Sequence, residues 1–204
     1  MQNIEIVSCD SVILRYEPVI DEKVLDCVQY DFILLSRLEG IIEIVPSYAS
    51  IWIRFDVQYY SFNTLKEKIT VMLSGREVPS RQKGGALYEI PVDYHQGVDL
   101  ERIANLHHLS VDEAIKIHTG KTYRVYAIGF MVGFAYLGVV DRRIMTPRLK
   151  TPRQKVAKGS VAIANSQTAI YPQNSAGGWN IVGITKFDNF ENFQIGDRIR
   201  FVRE

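Results

Sequence analysis

The residues best suited to chemistry lie between positions 146 and 183, TPRLKTPRQKVAKGSVAIANSQTAIYPQNSAGGWNIVG. Two Thr-Pro-Arg triplets stand five residues apart, Thr146-Pro147-Arg148 and Thr151-Pro152-Arg153. Each proline fixes its own φ and biases its predecessor to extended geometry, so both guanidinium groups sit on a stiff, non-helical segment. A guanidinium is a planar fork of donors matched to carboxylate or phosphate. Gly177-Gly178 then lets backbone approach closely just before Trp179, because glycine has no Cβ. Upstream, residues 129–138 read GFMVGFAYLG, with Gly129, Gly133 and Gly138 interleaved with Phe130, Phe134 and Tyr136. Those rings offer flat apolar surface. The pattern reads as the wall of a binding site on a β scaffold. Two alternatives stay open: a solvated proline-rich connector, and an aromatic plug at a barrel end.

A reaction engine is missing from the pattern. The glycine spacing in 129–138 matches neither a dinucleotide loop nor a P-loop. Ser160 and Ser166 lack a Gly-x-Ser-x-Gly context, the setting of a strained nucleophile turn. His107, His108 and His118 fall close together but lack the i, i+4 pairing plus acid of a zinc enzyme. They are expected to pack or hydrogen-bond, and no metal is expected.

The elements that must position these residues follow from periodicity. Residues 4–16 alternate as two short strands around Cys9-Asp10-Ser11, and 21–38 switches to a helical period with Val24, Cys27, Val28, Leu35 and Leu38 on one face. Residues 41–45 form a β-prone run ended by Pro46. Residues 48–55 alternate, with Ile51, Ile53 and Phe55 on one side and Trp52 and Arg54 on the other. Ser61 caps a helix carrying Phe62, Leu65, Ile69, Met72 and Leu73, ended by Gly75. This order predicts a small α+β unit, a split β-α-β sandwich, over 1–80. The polar run 76–86, REVPSRQKGGA, marks the boundary. Residues 81–204 then hold strands at 87–92, 123–128, 160–164, 167–171, 179–183 and 198–203. A helical hairpin, 100–118, sits among them, its second helix opened by a capping box at Ser110. That strand count predicts a mainly β-barrel domain.

Composition sets limits. The 204 residues are 47% hydrophobic and 23% charged with net charge +1, which gives no electrostatic case for nucleic acid or an anionic membrane. No stretch has the length of a membrane span, and the start has no signal-peptide pattern. Two cysteines without metal spacing suit reduced thiols in the cytoplasm.

The ordered motifs carry a resemblance. They include residues 43–48, EIVPSY; 88–92, YEIPV; Gly129-Phe130, Gly133-Phe134 and Tyr136-Leu137. Beyond these come Thr146-Pro147-Arg148, Pro152-Arg153, residues 159–164, GSVAIA, then Gln167-Thr168, Ile170-Tyr171-Pro172 and Gly177-Gly178-Trp179. In them the chain resembles, over nearly its whole length, the B subunits of bacterial 5-oxoprolinase, also called KipI-like or allophanate hydrolase subunit 1. The resemblance implies a cyclophilin-like barrel for the C-terminal domain, though fold alone implies no prolyl isomerase activity. It implies a non-autonomous subunit that works with a C subunit (KipA-like) and an A subunit to open 5-oxoproline to L-glutamate. ATP is used by the complex; no cofactor is bound by this chain. In that frame Arg148 and Arg153 hold a carboxylate or a phosphorylated or carboxylated intermediate. Gln167, Thr168 and Tyr171 hydrogen-bond the lactam amide of the small cyclic substrate. Phe130, Phe134 and Trp179 cover its apolar edge.

Departures from the family pattern cluster around the same loops: Val132, Ala157 and Ala176 stand where prolines are usual, and Asn165 where a glycine is. Lost prolines loosen loops; Asn tolerates left-handed backbone better than other non-glycine residues. Two other functions compete. One is a regulatory protein that inhibits a histidine kinase through its barrel domain, as a KipI-like member does, with residues 129–138 as the contact. The other is a carboxyltransferase-type subunit acting on urea or a related amide.

Overall fold

Alternation in residues 48–55 becomes a half-buried strand. Ile51, Ile53 and Phe55 are buried, and Trp52 and Arg54 are partly open. In the computed structural model, which describes residues 3–76 and 85–204, contacts divide the chain into two units, Met1–Gly84 and Gly85–Glu204. Residues 77–84 of the expected boundary lie outside the described residues.

The first unit runs β1 (Asn3–Ser8), β2 (Ser11–Arg15), α1 (Glu22–Leu35), β3 (Ile41–Ser47), β4 (Ser50–Phe55) and α2 (Phe62–Leu73). Its sheet has the order β1-β2-β4-β3, all antiparallel. β2 and β3 therefore run parallel with β4 between them, a split β-α-β unit. Asp21 caps α1 and a Ser61–Thr64 capping box opens α2, satisfying amide donors that a helix start leaves unpaired. Two expectations need correction. Pro46 does not end β3; it lies inside it, opposite Ile51, on an edge strand where its missing N–H costs no ladder bond. The buried stripe of α1 is Leu25, Val28, Asp31 and Leu35, rotated away from Val24 and Cys27. Asp31 can occupy that stripe because it is paired. The Tyr16 hydroxyl donates to it at 2.6 Å and the Arg76 guanidinium at 2.5 Å through both Nε and Nη2, the condition for burying a carboxylate.

The second unit contains β5 (Leu87–Val92), α3 (Leu100–Leu106), α4 (Val111–Thr119), β6 (Thr122–Ile128), β7 (Ala135–Gly138), β8 (Arg153–Val156), β9 (Ser160–Ala164), β10 (Gln167–Ile170), β11 (Ser175–Gly177), β12 (Asn180–Ile184) and β13 (Arg198–Arg203). Seven strands form one sheet in the order β12-β9-β10-β7-β6-β13-β5, antiparallel except for β13 beside β5. Asp93, just after β5, bridges Ile184 at the end of β12, so the sheet curls into a nearly closed barrel. Closure of this kind removes unpaired edges. β8 and β11 pair as a separate ribbon. Ile103 and Ala104 of α3 and Ala114 and Ile115 of α4 pack into the main core with Val161, Ile163 and Ile170.

Candidate functional site

β9 and β10 build the site by having two faces. Successive side chains of a strand point to opposite sides. Val161, Ile163 and Ile170 enter the main core, whereas Ala162, Ala164, Ala169 and Tyr171 face a second cluster with Phe134, Val156, Trp179 and Ile181. Three alanines in a row leave room for rings, and Phe134 fills it. Its ring lies 5.5 Å from Phe130, 4.9 Å from Tyr136, 5.4 Å from Tyr171 and 5.8 Å from Trp179, all edge-on. Edge-to-face contact is the favoured arrangement of such quadrupoles. The glycine-aromatic loop is thus not a plug in the main core: it delivers Phe134 to the opposite face of β9 and β10. The turn needs positive φ at Phe130 (72°) and Gly133 (79°). Phe130 is left 66% exposed and Val132 83% exposed.

The two arginines part company. Arg148 is exposed, its guanidinium carbon 5.7 Å from the Trp179 ring centroid, the geometry of a cation–π contact. Arg153 instead donates through Nη2 to Asp99 Oδ1 at 2.7 Å, and Asp99 is 5% exposed. A guanidinium already neutralised by a buried carboxylate is no free anion receptor, so Arg153 belongs to the support of the site. Thr168 leaves it altogether. One step along β10 from Gln167, it points to the main core, fully buried, and donates to the Ala162 carbonyl at 2.9 Å. Gln167 and Tyr171 share the ring-bearing face. Burial pushes the Tyr171 phenol up, while a hydrogen bond its oxygen accepts from the Trp179 backbone and the charges of Arg148 and Arg153 pull it back. Gly177 is obligatory here, since a Cβ at that position would lie 2.2 Å from the Tyr171 hydroxyl. Gly177→Ala is expected to cost roughly 1–3 kcal/mol, the usual overpacking range, read as a lower urea midpoint with an altered Tyr171 environment; an unchanged midpoint would contradict the close approach.

Sequence reasoning missed Asp99 and Asn180 as parts of the site, and gave Tyr136 a place in the ring surface without a ligand contact. Tyr136 was visible in the glycine-aromatic run and lies 6.0 Å from Trp179 ring to ring. Asp99 and Asn180 carried no local signal. Among the departures from the family pattern, Asn165 has φ 52°, a left-handed position that Asn tolerates.

His118 explains the hydroxyl of Thr168. The Thr168 proton goes to Ala162, so its oxygen accepts from His118 Nε2–H at 3.0 Å, and His118 Nδ1 accepts from Tyr94 at 2.7 Å. The ring also stacks on Phe201 at 4.7 Å. Burial holds this imidazole neutral, its pKa lowered to about 3. The unfolded chain therefore takes the proton first as pH falls. Stability should drop below about pH 6.5 by roughly 1.4 kcal/mol per unit, about 2 kcal/mol by pH 5. Urea melts across pH 4–8 test this; the slope should flatten in a folded His118→Gln chain.

Among the described residues no group of three or more His, Cys, Asp or Glu side chains is placed to hold a metal ion, and no helix is long and apolar enough to cross a membrane. A cleft of about 500 Å³ lies apart from the ring cluster, lined by Tyr94, Val98, Glu101, Asp112 and Arg203 among others. The wall at Arg148 and Phe130 is open.

Residues 2–196 match the family described as carboxyltransferase domain, subdomain C and D. A curated relative from Bacillus subtilis (strain 168), named as the B subunit of 5-oxoprolinase, is 34% identical over 98% of this chain and 92% of its own length. The solved structure of TTHA0988 superposes with TM-score 0.81 at 29% identity, over 95% of this chain and 40% of that one. The urea carboxylase of Kluyveromyces lactis gives TM-score 0.74 at 14% identity, covering all of this chain and 22% of that one, a likeness of fold.

Proposed function

The chain belongs to the carboxyltransferase subdomain C and D family, among the 5-oxoprolinase B subunits, and from that premise we propose that it is the non-autonomous B subunit of an ATP-dependent complex opening 5-oxoproline to L-glutamate with A and C subunits. The observation that carries this reading is the exposed Arg148 guanidinium, held over Trp179, whose ring in turn meets those of Phe134 and Tyr136. It suits a small ligand with one carboxylate and one apolar edge. Gln167 and the Tyr136 phenol supply both donor and acceptor for a lactam amide, with the buried Tyr171 ring packed behind them. Phe130 and Trp179 cover the methylene edge. These groups bind and orient; none is a nucleophile with a base beside it, which is why the chain needs partners. ATP is then handled elsewhere in the complex, and the barrel serves as a cyclophilin-like scaffold for the wall. The protein works in the cytoplasm.

A regulatory reading draws on one observation, the loop tip with Phe130 and Val132 exposed, which suits contact with another protein such as a histidine kinase. Urea or another amide is the third substrate class.

Reconstitution separates them. The chain is co-expressed with A and C subunits and assayed for ATP-dependent glutamate formation from 5-oxoproline. Activity that vanishes when this chain is omitted supports the proposal. An assembled but inert complex moves the substrate to another amide, and failure to assemble favours the regulatory protein.

A further inference from the structure

Helix α3 reaches both Thr-Pro-Arg arms, directly from its two ends and through Asn180 from its middle. Asp99 stands at its N-cap yet makes no capping hydrogen bond with its side chain, although Asp at that position ordinarily accepts from its own helix. Both carboxylate oxygens are used elsewhere. Oδ1 receives Arg153 and Oδ2 receives the Ile181 amide, each at 2.7 Å. One turn on, Arg102 Nη1 donates to the Asn180 side-chain oxygen. Asn180, fully buried, donates in turn to the carbonyls of Pro147 at 3.0 Å and Ile163 at 2.9 Å. At the far end of the helix the His107 ring lies 3.2 Å from the Thr146 hydroxyl. Backbone bonds complete the frame, with Leu149 donating to Gly178 at 2.8 Å and Asn165 to Thr146 at 2.7 Å. The segment around Arg148 is thus held by α3 side chains at Thr146 and Arg153, and by Asn180, itself bonded to Arg102, at Pro147.

We infer that Asp99, Arg102 and His107 are positioning residues for the ligand-facing guanidinium: α3 holds Thr146 and Arg153 directly and Pro147 through Asn180, and so sets Arg148 over Trp179. None of the three needs to touch a ligand. A buried carboxylate that forgoes its own helix cap is explained by this use, as is a histidine placed at a helix end with a threonine of the first arm as its partner. An oriented fork makes a bidentate contact, whereas a loose one loses the directional part of it. The inference rests on the reading of Arg148 as the anion-holding group, but its first readout does not.

The test uses the full chain with Asp99→Asn, which keeps the size and one acceptor, and Arg102→Gln, at an exposed position where folding is not at stake. Native-state trypsin cleavage after Arg148 and Lys150 is followed by mass spectrometry. The same variants are assembled with A and C subunits for KM and kcat on 5-oxoproline. Ile199→Ala, a buried position on β13, a strand that pairs with β5 and β6, controls for general loss of stability. Cleavage at the arm is expected to rise about tenfold in both variants, and KM about tenfold with kcat within about twofold, the effect of losing one charge-assisted bond. Ile199→Ala should leave KM unchanged. Wild-type cleavage and KM in folded Asp99→Asn and Arg102→Gln chains would overturn the inference, as would an equal rise in KM in Ile199→Ala. Should the wild-type complex ignore 5-oxoproline, the functional reading fails while the cleavage result still decides whether α3 holds the arms.

Discussion

Arg148→Ala is expected to lower kcat/KM for 5-oxoproline in the assembled complex by roughly 10- to 100-fold, the consequence of removing about 1.5–3 kcal/mol of charge-assisted hydrogen bonding. The side chain is exposed and its described contact is the Trp179 face, so folding should be barely affected. That separation makes the variant informative. Arg148→Lys should recover only part of the loss, because an ammonium keeps the charge but not the planar fork. Arg153→Ala should behave differently. It uncovers the buried Asp99 carboxylate, and its first symptom should be a lower melting temperature. Steady-state kinetics of the reconstituted enzyme alongside thermal melts distinguish the two arginines. Unchanged kcat/KM in a folded Arg148→Ala complex would remove Arg148 from the site.

Phe134→Ala should be the most destabilising single change at the wall, about 3–5 kcal/mol, the range for truncating a buried Phe. The ring is 1% exposed and meets four other aromatic rings. The alanines beneath it, Ala162, Ala164 and Ala169, have no longer side chains with which to refill the space. The cavity should therefore persist, which is the costly case. For a unit of this size the melting temperature should fall by about 10–20 °C. Phe134→Leu keeps much of the volume and should lose about half as much or less. A fall below about 1 kcal/mol for the alanine variant would mean that the rings do not form one packed cluster.

The sequence alone carried the local facts. Proline chemistry kept residues 146–152 out of helix, with a bend at Lys150 and Thr151, alternation marked β4 and β13, and capping residues marked the starts of α2 and α4; these depend on neighbours in the chain. Ordered motifs carried the family. The N-terminal split β-α-β unit and the barrel character of the second unit followed from element order. What sequence could not supply was partnership across long separations. Two Thr-Pro-Arg triplets look equivalent, yet Asp99, 54 positions from Arg153, neutralises one and leaves the other open. Gln167, Thr168 and Tyr171 look like one polar group, yet the two-residue period of a strand sends Thr168 to His118 and the others to the rings. The period was legible, but which face met which core was not, because that depends on how β9 and β10 pair with the rest of the sheet. Likewise the helical stripe of α1 was misplaced by the assumption that a buried position must be apolar. Asp31 is buried because Arg76 and Tyr16, far off in sequence, satisfy it. Residue type and spacing therefore determined what chemistry the wall can offer; tertiary pairing decided which side chains remain free to offer it, since a charge or hydroxyl already satisfied inside the protein has little left for a ligand.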